Sequence, residues 1–136
     1  MENPNTVEHT FRVRYAETDQ MGVVHNAVYL IWFETGRTEY CIAKEFPYSE
    51  IEKSGIILVV AESKVRYRKP AHYDEMVTVR TSMTRSGSRV TRFNYQVVRA
   101  ETGELIADGE TVHVAVDKES RRPTHIPQEI IDKLIS

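Results

Sequence analysis

Asp19 is the residue through which this chain could do chemistry. It stands in a short acidic loop, YAETDQMGVV, that runs past Gly22 into an apolar segment with Val28, Tyr29, Trp32, Phe33, Gly36 and Tyr40 at helical spacing. The residues before it, HTFRVRY, alternate apolar and polar as a strand does. A strand, a turn carrying Asp19 and Gly22, and a helix starting near His25 to Ala27 are therefore expected. The first N–H groups of a helix have no partner within it and carry the positive end of the dipole, which suits an oxyanion developing on a carbonyl. A carboxylate a few residues before such donors could attack an acyl carbon, or could deprotonate a water that does. Taken alone, Asp19 reads first as a turn or capping acid, because Asp favours turns and helix starts.

The elements needed to hold that loop can be read downstream. Ile56 to Arg68 alternates, and Pro70 ends it by removing a ladder donor. Met76 to Thr84, Arg89 to Arg99 and Leu105 to Val116 follow as strands, separated by turns at Arg85-Ser86-Gly87-Ser88 and Glu101-Thr102-Gly103-Glu104. Pro123 and Pro127 precede a short amphipathic helix, Gln128 to Ile135. One long helix followed by hairpin-connected strands is an α+β pattern, an antiparallel sheet wrapped around a central helix. Gly36 lowers propensity mid-helix by about 1 kcal/mol, so close helix-to-sheet approach is its expected role. The 136 residues suit a single domain, 1–136, with one core.

Other chemistries find little support. The five histidines, His9, His25, His72, His113 and His125, lack metal-site spacing, so no metal is expected. There is no G-x-S-x-G elbow, Walker loop or dinucleotide fingerprint. Cys41, the one cysteine, lies among apolar helical residues and reads as a packing thiol. The longest apolar runs fall far short of the roughly 18 residues of a membrane span, and the first residues do not read as a signal peptide, so a cytoplasmic location is expected. The net charge of −2 conceals a basic band, with eight Lys and Arg against two acids between Lys64 and Arg92. Without a recognition helix or RNA-binding aromatic motif it does not indicate nucleic acid.

The order Tyr15, Glu17, Thr18, Asp19, Gly22, Val23, Val24, then Tyr29, Leu30, Trp32, Phe33, Glu34, Arg37 and Glu39, resembles the hotdog-fold acyl-CoA thioesterases of the 4-hydroxybenzoyl-CoA thioesterase-like group. A second match runs from Arg66 through Ala71 to Tyr73-Asp74-Glu75, and the resemblance covers roughly Val7 to Pro127. Where many relatives read Tyr-His-Ala-Asn-Tyr, this chain reads His25-Asn26-Ala27-Val28-Tyr29; backbone donors survive that change.

The resemblance implies the hotdog fold and hydrolysis of an acyl-CoA thioester to the acid and free CoA, without a cofactor. Asp19 is then nucleophile or general base. The Asn26 backbone N–H donates to the oxyanion, and the His25 side chain helps orient the acyl group or water. Gly22, Val24 and Tyr29 are expected to line the substrate. Arg89, Arg121 and Arg122 are the expected phosphate contacts, since Arg forms charge-assisted hydrogen bonds to phosphate. Glu62, which interrupts an apolar strand, is a second candidate acid, whereas Glu17 reads as a loop acid. A homodimer or a tetramer is implied, with the acyl site between two chains and the strand edges covered. Rival readings are a thioesterase for acyl carrier protein conjugates, a noncatalytic acyl-CoA-binding module and, more distantly, a hotdog dehydratase.

Overall fold

A computed structural model describes residues 5–45, 48–85 and 87–135. Their order is β1 (Val7–Arg12), a 3-10 turn (Tyr15–Glu17), α1 (Val28–Ala43), α2 (Tyr48–Lys53), β2 (Ile56–Tyr67), β3 (Met76–Arg85), β4 (Val90–Arg99), β5 (Leu105–Asp117) and α3 (Gln128–Ile135). The strands form one sheet in the order β1-β3-β4-β5-β2, with every neighbouring pair antiparallel. The long helix α1 packs across one face of it, so the expected α+β arrangement is the one observed.

The helix forms where the 3.6-residue repeat of large side chains is strongest. Trp32, Phe33 and Tyr40 on its inner face are fully buried against Phe93, Tyr95 and Ile106 from the sheet. Phe33 stacks on Tyr95 with centroids 4.2 Å apart, and Tyr40 meets Phe93 edge-on. Gly36 allows this approach. A Cβ there would stand 2.8 Å from Val79 Cγ1 and closer still to Thr81 Oγ1, both on β3. α3 closes the far end of α1, where the Tyr40 hydroxyl donates to the Leu134 carbonyl at 2.5 Å.

Three local expectations change. The first strand is β1, ending at Arg12; Tyr15 to Glu17 turns as a 3-10 segment instead of continuing the ladder. α2 lies between two strong signals and escaped them, being only six residues long. In β2 the simple alternation breaks at Ala61, because the register shifts between Val60, opposite His113, and Glu62, opposite Val112. Leu58 and Val60 therefore share the inner face with Ser63, Val65 and Tyr67, while Val59, Glu62, Lys64 and Arg66 share the outer one. Ser86, in the expected β3–β4 turn, lies outside the described residues. Among the described residues no helix is long and apolar enough to cross a membrane.

Candidate active site

The loop between the 3-10 turn and α1 is a small closed ring. Thr18 and Val24 form a β-bridge, the Asp19 N–H donates to the Val23 carbonyl at 2.9 Å, and the Gly22 N–H returns to the Asp19 carbonyl at 3.0 Å. Gly22 closes the turn at φ +77°, a region that disfavours any Cβ. Asp19 Oδ1 accepts from Met21 N at 2.8 Å and more weakly from Val23 N at 3.4 Å. Its Oδ2 has no hydrogen-bond partner among the described residues, and the side chain is exposed. One oxygen thus holds the turn and the other is free to act.

The ring is anchored on both sides. Val24 N donates to the Ala71 carbonyl at 2.8 Å, and Val23 bridges to His72, which ties the ring to the β2–β3 connection. That connection is itself braced by Arg99, which donates to the Pro70 carbonyl at 2.6 Å and pairs with Glu75 and Glu104. On the other side the His25 N–H donates to the Glu17 carbonyl at 3.0 Å.

At the start of α1 the donors divide unevenly. Ala27 N–H goes to His25 Nδ1 at 3.1 Å, and Val28 N–H goes to the His25 carbonyl at 3.0 Å. Asn26 N–H has no partner among the described residues and lies at the exposed helix entrance. His25 thus accepts, through Nδ1, the N–H of Ala27, the residue at the N-cap position of α1. The Asn26 carbonyl is held in turn by the Tyr67 hydroxyl at 3.0 Å.

Beside this entrance lies a cavity of about 310 Å³ with Val24, Asn26, Tyr29, Tyr67 and Pro70 as walls and Arg68 and Lys69 at its rim. Tyr29 and Tyr67 meet edge-on at 5.4 Å, and burial pushes the Tyr29 hydroxyl up to about 12, so it stays a neutral wall. Arg68 pairs with Asp108 at 3.2 Å. Lys69 has its backbone N–H fixed to the Ile106 carbonyl at 3.0 Å.

The structure thus brings Asp19, Gly22, Val24, His25, Asn26 and Tyr29 to one end of the sheet. It sets the other candidates apart from them. Arg89 lies just before β4 and its guanidinium donates to His125 Nε2 at 3.2 to 3.3 Å, while His125 Nδ1 is 2.5 Å from Ser88 Oγ. Arg121 and Arg122 follow β5, in a turn closed by Asp117 N–H on the Arg122 carbonyl. Tyr67 pairs with Ala107 and Val116 bridges to Pro123, so the length of β5 separates the two groups. At about 3.4 Å per residue that is roughly 30 Å. Glu62 is exposed on the outer sheet face, opposite Val112.

Two contributors had no signal in the sequence. The Tyr67 hydroxyl reaches Asn26 across 41 residues, and Glu17 reaches the indole of Trp32, a contact that no periodicity announces. Cys41 is buried and its thiol is pushed up to about 12 by desolvation, which keeps it a packing group.

A profile described as the thioesterase-like superfamily matches residues 13–134. YneP of Bacillus subtilis strain 168, provisionally named an acyl-CoA thioesterase, is 41% identical over 111 residues, covering 82% of this chain and 80% of its own. The acyl-CoA thioester hydrolase YbgC of Escherichia coli O157:H7 is 31% identical over 120 residues, 88% of this chain and 89% of that one. Among solved structures, the hypothetical protein TT1821 of Thermus thermophilus superposes with a TM-score of 0.86 at 37% identity over 95% of both chains. The DHNA-CoA thioesterase of Staphylococcus aureus does so at 0.85 and 31% identity, over 93% of this chain and 85% of that one. With a strand–ring–helix junction carrying Asp19, a sheet wrapped around α1 and matches over nearly its whole length, this chain belongs to the thioesterase-like superfamily of hotdog-fold thioester hydrolases.

Proposed function

We propose that the protein hydrolyses an acyl-CoA thioester to a carboxylic acid and free CoA, with Asp19 supplying the carboxylate and Asn26 N–H the oxyanion donor. The observation that carries this reading is the uneven use of donors at the α1 entrance. His25 consumes the N–H groups of Ala27 and Val28 and leaves Asn26 N–H, among the described residues, unpaired on the same loop as an aspartate whose Oδ2 is likewise unengaged among them. A thioester carbonyl directed at Asn26 N–H would be polarised by that donor and by the helix dipole. Asp19 Oδ2 then either attacks the carbonyl carbon, giving an anhydride that water opens, or takes a proton from the attacking water. In both routes the thiolate of CoA leaves and needs no strong acid. Tyr67 stabilises the entrance through the Asn26 carbonyl, and Val24, Tyr29 and Pro70 exclude water from one side of the cavity.

The same proposal includes a homodimer and a cytoplasmic location. β2 is a sheet edge whose middle, Val59 and Val60, is 45% exposed. An unpaired apolar edge of this kind invites a second copy. A two-fold through the middle of β2 runs the two edges antiparallel, which sets the partner's Ile56 end beside this chain's Tyr67 end. Because Ile56 pairs with Asp117, the partner's Arg121 and Arg122 would approach the cavity that this chain's own copies, roughly 30 Å away, do not reach. Glu62 remains in this proposal only as a carboxylate to be tested beside Asp19.

The deciding experiment is a thiol-release assay over a panel of acyl-CoA thioesters, benzoyl and phenylacetyl among them, with matched acyl carrier protein conjugates beside it. Turnover of a CoA thioester is expected. Turnover of carrier-protein conjugates alone would replace the substrate class, and binding without turnover would make the protein an acyl-CoA-binding module.

A further inference from the structure

We infer that Glu17 is a positioning residue of the catalytic loop, acting through its buried carboxylate on Asp19 and Asn26. This rests on the catalytic reading of Asp19 given above.

Glu17 is 6% exposed, unusual for a carboxylate, and burying one is unfavourable unless its oxygens are satisfied. Here both are. Oε1 accepts the Arg14 N–H at 2.8 Å, Oε2 accepts the Trp32 Nε1–H at 2.8 Å, and the Arg14 guanidinium stands 3.5 Å from Oε2. The first bond fixes the start of the 3-10 turn and the second pins that turn to the second turn of α1. The main chain of the same residue makes the third tie, its carbonyl accepting the His25 N–H at 3.0 Å.

These three ties meet at the base of the ring. Thr18 and Val24, the bridged pair that closes it, are the next residues along each arm; Asp19 follows on one side, and Asn26 lies one residue beyond His25 on the other. The relative placement of carboxylate and oxyanion donor therefore depends on Glu17 holding the 3-10 turn to α1. Misplacement of a catalytic group by about 1 Å is enough to lower a rate as much as a hundredfold. Glu17 is outside the cavity lining and so has no expected contact with substrate.

Glu17→Gln tests this, because a glutamine accepts from one of the two donors and turns its own N–H groups toward the other. The expected result is a kcat lowered roughly tenfold or more with KM little changed, since the lost quantity is alignment in the transition state. In an Asp19→Asn background, whose residual turnover is measured at high enzyme concentration, the same change should lower kcat by a smaller factor, since one of the two groups it positions is gone. A folded Glu17→Gln enzyme with normal kcat overturns the inference. So does an equal fold-loss in both backgrounds, which would make Glu17 an independent contributor. If Glu17→Gln does not fold, Trp32→Phe decides, because it keeps a ring in place and deletes only the indole donor. A kcat-selective loss in folded Trp32→Phe enzyme supports the positioning role and an unchanged kcat removes it. Near-normal turnover by Asp19→Asn sinks the Asp19 reading itself, whereas a normal Glu17→Gln enzyme beside a disabled Asp19→Asn enzyme sinks only the positioning role.

Discussion

The two oxygens of Asp19 have separate work. Oδ1 holds the turn through Met21 and Val23, a task an amide oxygen can perform, while Oδ2 is the oxygen available for chemistry. Asp19→Asn should therefore leave the loop folded and lower kcat by at least roughly a hundredfold, with a much smaller change in KM. Glu62→Gln and Glu17→Gln belong in the same kinetic series, and a dominant loss at Glu62 would move the chemistry to the outer sheet face. The Asp19 ring was legible in the sequence because a turn needs its Asp and Gly in fixed order. Asn26 was named through the family resemblance alone, and the clamp at Glu17 was not foreseen, because it depends on a contact with Trp32 across the fold. A second residue matters to stability. His113 is 1% exposed, with Nε2 2.8 Å from Thr111 Oγ1 and Nδ1 without a partner among the described residues, and burial pushes it down to about 4. The unfolded chain takes up that proton near 6.5 and the folded one only near 4, so the contribution is fully present above about 6.5. It is lost as pH falls through that window, a change of the order of 3 kcal/mol. Urea titrations at pH 7 and pH 4.5 should show a smaller pH difference for His113→Gln than for the parent, and equal differences would count against this assignment.

Between elements, the contact that fixes the site is α1 against β3. Gly36 lies at that contact, and adding a methyl group sets two effects against each other. Alanine improves helix propensity by about 1 kcal/mol. It also drives Cβ into Val79 and Thr81, both fully buried and both short β-branched side chains that cannot swing away. Overpacking of this kind costs about 1–3 kcal/mol, so Gly36→Ala should lower the melting temperature, and an unchanged or higher value would show that the helix can lift without penalty. The strands beyond this contact were well marked by alternation and by turn residues, with ends within a residue or two of those observed. α2 was not, because six residues carry too little periodicity. The phase of β2 beyond Ala61 was not either, since a bulge arises from how β2 meets β5 and leaves no local trace. That bulge decides which side chains face inward with Tyr67 and reach the site, and which join Glu62 on the outside.

At the scale of the whole molecule the charge distribution and the sheet edge bear on one another. In a single subunit Arg89, Arg121 and Arg122 are stranded at the end of the sheet away from Asp19, although a CoA thioester has its phosphates far from its reacting carbonyl. An antiparallel β2–β2 pair would bring those basic residues of one chain toward the cavity of the other. Light scattering at micromolar protein should then give at least a dimer, and a fully active monomer would end this account. Arg89→Ala should raise KM several-fold with kcat little changed, and the effect should shrink with added salt because exposed charges are screened. Mixing separates the two possible arrangements. If phosphate contacts and carboxylate come from different chains, refolding Asp19→Asn together with Arg89→Ala produces mixed dimers in which one site carries both lesions and the other carries neither. Activity at low substrate should then exceed the average of the two variants refolded separately. If each chain serves its own site, every site in the mixture carries one lesion and the average is all that can be reached. An activity no higher than that average, from a mixture shown by mass spectrometry to contain mixed dimers, would return the phosphate contacts to the same chain as Asp19 and leave Arg68 and Lys69, at the rim of its own cavity, as the basic residues to examine.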